Sequence, residues 1–281
     1  MDDYRYSMIQ PSRSYIHRGG IMCSRMSSLI VSILNGTSII IFFEIARAMP
    51  RLFWFIALLS CAITLYIHWV CWKKKRGISF MHASVLQLLT IASLWLFFIF
   101  IDHTFLQHIW IIVSGCIVML VTSALTFRFR ISSSIKSTRK LRLAFRSLLL
   151  VALLYMIAVV CFAGIAILGY SPLVVGGFLI ACSMYISWMW FEGYHVLLQH
   201  RIGATAIATI IGIEAFALIV LWPTTIYAMG CVWLIVMHMT LGVVRQYIIF
   251  GKEGFTPRVL FRYLSSFVIG LLGVLITARW R

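Results

Sequence analysis

Residues 139–169 read RKLRLAFRSLLLVALLYMIAVVCFAGIAILG. Arg139, Lys140, Arg142 and Arg146 are followed by a run over 147–169 that contains no charge. About 20 mainly apolar residues suffice to cross the hydrocarbon core of a bilayer as a helix. A helix on the surface of a soluble protein keeps a polar face, and this run has none. It reads as a membrane span whose cationic leader rests among lipid head groups.

The rest of the chain agrees with this reading. It has 281 residues, 62% hydrophobic and only 11% charged, with a mean hydropathy of +1.01. Soluble domains are nearer half apolar and about a quarter charged, so lipid must replace water over most of this surface. The same ruler predicts about nine spans, near 27–45, 52–72, 83–101, 105–127, 147–169, 173–198, 204–222, 225–249 and 260–278. Several of the short links carry turn residues: Pro50, Pro172, Pro223, Gly254 and Pro257. The expected fold is all-α, a polytopic transmembrane helix bundle. Residues 1–26 form a basic cytoplasmic segment, and 27–281 form a single membrane domain with a basic cytoplasmic loop at 128–146.

Orientation follows from the basic residues. Of the 24 Lys and Arg, only Arg47, Arg51, Arg279 and Arg281 fall on one side of the expected membrane. The other side holds Arg5, Arg13, Arg18 and Arg25, then Lys73, Lys74, Lys75 and Arg76. Arg128, Arg130, Lys136, Arg139, Lys140, Arg142 and Arg146 follow, with Arg201, Arg245, Lys252, Arg258 and Arg262 after them. The positive-inside rule places the N-terminus in the cytoplasm and the C-terminus outside. Ala46-Arg47-Ala48 resembles a small-x-small cleavage site. The long basic leader and the interruptions at Asn35 and Glu44 favour a retained first span.

A net charge of +17 would suggest nucleic acid in a soluble protein. Here it reads as a topology signal and as contact with anionic lipid, and no nucleic acid is expected. Arg128, Arg130, Arg139, Lys140 and Arg142 are the candidates for head-group contact, in short helical stretches lying on the membrane surface. The seven cysteines form no CxxC pair and lie mostly in apolar runs, so they read as small buried hydrophobes. No paired-Asp motif, HExxH, Walker-type loop or haem-binding His pair occurs, and neither a metal nor a cofactor is expected.

Ionisable groups within a bilayer cost several kcal/mol unless paired or facing a cavity. Three carboxylates are embedded: Glu44, Glu192 and Glu214. Glu44 and Arg47 share a helical face and should pair at the outer interface. His68 and His108 read as structural. Tyr185, Trp188, Glu192, His195 and Gln199 form one helical stripe, and Tyr227, Cys231, His238, Gly242 and Arg245 form another. Matching depths suggest the pairs Glu192–Arg245 and Glu214–His238, with His195 beside the first. These five residues are the candidate ligand-binding group. Ala204, Ala208, Gly212 and Ala215 let a neighbouring helix approach closely.

Glu214 within a span, Trp222-Pro223 closing it and Arg245 ending the next form the start of a longer pattern. Arg262-Tyr263 and the terminal Thr277-Ala278-Arg279-Trp280 complete it. Together they resemble an uncharacterised family of multi-pass bacterial cytoplasmic-membrane proteins, over roughly residues 190–281. The resemblance implies a bacterial inner membrane and no mechanism, since the family has no assigned activity.

Three functions remain open from sequence. The cluster binds or moves a small or lipid-like ligand, with Glu214 and Glu192 taking a cation or proton, His238 and His195 relaying it, and Arg245 holding an anionic group. Alternatively, Glu192 and His195 serve as acid and base in a membrane enzyme acting on a lipid-linked substrate at the cytoplasmic face. In the third reading the polar pairs only fix helix packing in a structural or assembly subunit. A transporter would be expected to show internal repeats, and none is evident in the sequence.

Overall fold

The computed structural model describes residues 18–71, 78–127, 136–194, 196–251 and 256–277. Among these the protein is helical, with no strand. The helices are α1 (Arg18–Ala48), α2 (Phe53–Cys71), α3 (Ile78–Phe98), α4 (Thr104–Phe127) and α5 (Lys136–Ala166). They continue with α6 (Pro172–Gly193), α7 (Leu198–Val220), α8 (Ile226–Phe250) and α9 (Pro257–Thr277). Eight are long and apolar enough to cross a membrane, α1 through α8. The ninth expected span is shorter: the apolar part of α9 covers Tyr263–Ile276, because Arg258 and Arg262 occupy its first turns.

Two boundaries differ from expectation in ways that matter below. Residues 136–146 do not form a separate surface helix but are the first turns of α5, continuous with its apolar run. Helix α6 stops at Gly193 instead of running to 198. There the backbone N–H groups of Tyr194 and Val196 both donate to the Phe191 carbonyl and close the helix. Gln199 therefore belongs to α7, and the stripe drawn through it is broken.

The helices pack as two successive rings of four. Helix α1 lies along α2 and α4, and α3 bridges α2 and α4. In the same order, α5 lies along α6 and α8, and α7 bridges those two. Helix α3 packs on α5 to join the rings, and α9 packs on α8. Alternating direction puts the starts of α5, α7 and α9 and the finishes of α6 and α8 at one end, which carries Arg146, Arg201 and Arg245. This end is called the basic end below.

The first ring is held by close backbone approach and by a polar core. Helices α1 and α4 cross at Gly36 and Gly115; a Cβ on Gly36 would lie 2.8 Å from the Gly115 carbonyl oxygen. Next to the crossing, Asn35 Nδ2 donates to Thr122 Oγ1 at 2.9 Å, and Asn35 Oδ1 accepts from Thr64 at 3.1 Å. Gln87 Nε2 also donates to Thr122 Oγ1, at 3.1 Å. One fully buried polar residue from each of the four helices thus meets its neighbours. Hydrogen bonds between membrane helices are each worth about 0.6–1.7 kcal/mol. Asn35→Ala removes two, and unfolding in bicelles should show a loss of about 1–3 kcal/mol. An unchanged stability would mean that this core does not hold the ring.

Candidate functional site

At the basic end, α5, α6, α8 and α9 bring together Arg146, Ser147, Glu192, Tyr194, Arg245 and Tyr263. Arg245 lies five residues before the end of α8. Its Nη1 donates to the Tyr194 hydroxyl at 2.8 Å, and its Nη2 donates to the Tyr263 hydroxyl at 3.4 Å. The guanidinium also sits 4.7 Å from the centre of the Tyr194 ring, in the geometry of a cation–π contact. Tyr194 Oη and Ser147 Oγ are 3.0 Å apart and share a hydrogen bond. Gly242 creates the room for this arrangement: a Cβ there would lie 2.7 Å from the Tyr263 ring, which seats α9 against α8.

The expected Glu192–Arg245 pair is not formed. Glu192 instead faces Arg146 of α5, whose Nη2 lies 3.4 Å from Glu192 Oε2. The same nitrogen donates to the Met189 carbonyl at 2.6 Å, capping the last turn of α6. Gly193 leaves room for the guanidinium, with its Cβ position 3.3 Å from Arg146 Nη1. The neighbouring helix differs from the expected one: α6 packs along α5 and touches α8 only across the ring.

The expected Glu214–His238 pair is also absent. Glu214 is exposed on the outer side of α7, with no hydrogen bond or ion pair among the described residues. His238 is exposed on α8, where its ring meets the edge of Trp190 at 5.9 Å and 88°. It lies two turns from Arg245 on the same stripe and so continues the Arg245 site toward the interior. His195 lies outside the described residues, as do Arg128 and Arg130. Arg139, Lys140 and Arg142 lie on α5. Among the described residues no group of three His, Cys, Asp or Glu could hold a metal ion.

Two further expectations, the Glu44–Arg47 pair and the small-residue face of α7, hold. Glu44 Oε2 pairs with Arg47 Nε at 2.9 Å, and Glu44 Oε1 lies 3.1 Å from His108 Nδ1, which ties α1 to α4 at the end of the bundle opposite the basic end. Ala204, Ala208, Gly212 and Ala215 are buried, and Gly212 admits Trp233 and Met237 of α8.

A guanidinium carries five N–H donors. The tyrosines accept from two of them, and no carboxylate among the described residues pairs with Arg245. Arg146 has a carboxylate partner, whereas among the described residues Arg245 is held by neutral phenols. No described residue neutralises the charge of Arg245, and donors remain for an anion. Arg201 lies at the same end of the ring, stacked 4.9 Å over Trp188 with its Nη2 on the Val196 carbonyl. No family model, curated protein or solved structure matches the chain.

Proposed function

We propose that this multi-pass helical membrane protein binds an amphiphile whose anionic head group, of phosphate type, docks on Arg245 between Tyr194 and Tyr263. One observation carries the reading: a partly buried guanidinium fixed by two phenol hydroxyls, with no carboxylate partner among the described residues. Arg is suited to phosphate because its planar fork can donate two parallel hydrogen bonds. The site lies at the basic end, which the positive-inside rule assigns to the cytoplasm. The family resemblance supports a bacterial inner membrane. From Arg245, exposed His238 on the same stripe of α8 leads toward the apolar interior, where an acyl or prenyl tail would lie.

Native mass spectrometry of the protein released from mixed vesicles tests this. The wild type should retain phosphatidylglycerol over phosphatidylcholine, and Arg245→Ala should lose that preference by about 10- to 100-fold, the worth of one to two charged hydrogen bonds. Tyr263→Phe should lose less. Competition by inorganic phosphate would show that the head group alone suffices; failure to compete would show that the tail is needed. Equal retention of both lipids by the wild type, or an unchanged preference in Arg245→Ala, refutes the reading.

A further inference from the structure

The outward face of α7 opposes the face that packs on α6 and α8. It carries Gly203, Ile207, Ile210, Glu214 and Ala217, all exposed. Their intervals alternate four and three, the spacing of a seam that lies against one neighbouring helix. Glu214 is on that seam. It lies six residues before the end of α7 at Val220, about 9 Å along the axis at 1.5 Å per residue. Side chains on an α-helix tilt toward its N-terminus, so Glu214 leans away from the nearer membrane surface and cannot easily reach head groups. A lone carboxylate in hydrocarbon must be paired or neutralised, and within the chain Glu214 has no partner among the described residues.

We propose that the occupant of this face is a second copy of the chain, with the two Glu214 side chains hydrogen-bonded to each other as carboxylic acids. Two copies in one membrane share their orientation. A two-fold axis along the membrane normal therefore sets α7 parallel to its twin and in register. Symmetry alone then puts both Glu214 groups at the same depth. A carboxylic acid is both donor and acceptor, so it satisfies an identical partner, as an interface of this symmetry requires. Gly203 and Ala217 allow the backbones to approach above and below the pair; a Cβ on Gly203 would meet nothing within 4 Å in the single chain. The pairing is separate from the Arg245 site and stands without it.

The test is the oligomeric state of the full chain in bicelles. The wild type should be dimeric. Glu214→Gln should stay dimeric, because a carboxamide is also donor and acceptor. Glu214→Leu, a change on a lipid-facing surface that leaves the fold intact, should weaken self-association by about 3- to 30-fold. Oxidation should cross-link Ala217→Cys above the level of the unsubstituted chain, whereas Leu58→Cys, exposed on α2, should not. A monomeric wild type, a dimer indifferent to Glu214→Leu, or equal cross-linking at both cysteines overturns the proposal. A Gln variant as weak as the Leu variant also overturns it, since the group would then be an ionised carboxylate holding a basic partner.

Discussion

Gly36→Ala should destabilise the protein by about 1–3 kcal/mol, the usual range for overpacking a tight contact, although it adds only one methyl group. That methyl would lie 2.8 Å from the Gly115 carbonyl oxygen and 2.9 Å from Met119 Cβ. Both atoms are fixed to the α4 backbone, so neither can rotate away, and the two helices must separate. Separation also stretches the Asn35–Thr122 hydrogen bond, which sits one residue from the crossing. Gly115→Ala is an internal control. Its Cβ would mainly meet the Ile40 side chain, although the Gly36 carbonyl oxygen is 3.0 Å away. Ile40 can change rotamer, so the loss should be smaller. Reversible unfolding of both variants in bicelles decides the matter; equal stabilities would mean that the crossing is looser than described.

Arg146→Ala should be the most damaging substitution at the basic end, at about 2–3 kcal/mol, somewhat below the range for breaking a fully buried pair. Both partners are mostly buried, with side-chain exposures of 18% and 21%. The substitution strands the Glu192 carboxylate and also leaves the Met189 carbonyl without its donor. Glu192→Gln keeps an acceptor opposite Arg146 and should cost about 1 kcal/mol or less. Replacing both residues by apolar side chains, Arg146→Met with Glu192→Leu, should recover part of the loss, since no unpaired charge remains. Thermal unfolding of the three variants separates these contributions. If Arg146→Ala and Glu192→Gln fall equally, the hydrogen bond to Met189 contributes nothing.

What could be read from sequence followed the physics of single helices. Hydropathy alone located α1 through α8, because lipid demands an apolar surface on each of them separately. The small-residue face of α7 and the Glu44–Arg47 pair were equally plain, since each lies on one helix with fixed spacing. Contacts between helices were not legible. Which neighbour Glu192 and Arg245 each meet depends on the order of helices around the ring, and no spacing within one helix encodes that. Arg146 looked like one more topology signal. Tyr194 carried no signal in the sequence, and only its place after the early stop at Gly193 brings its hydroxyl to Arg245. Tyr263 appeared only within the Arg262-Tyr263 motif. Asn35 registered as an interruption, because Thr64, Gln87 and Thr122 lie on three other helices with no common period.

The division into two rings also sets an order of events during synthesis. The first ring is closed by α4 and shares no residue with the Arg245 site, so it can assemble while the second is still being made. Arg245 then enters the membrane with Tyr194 already in place as one acceptor, and its second acceptor follows 18 residues later. Until Tyr263 arrives the cation is held on one side only.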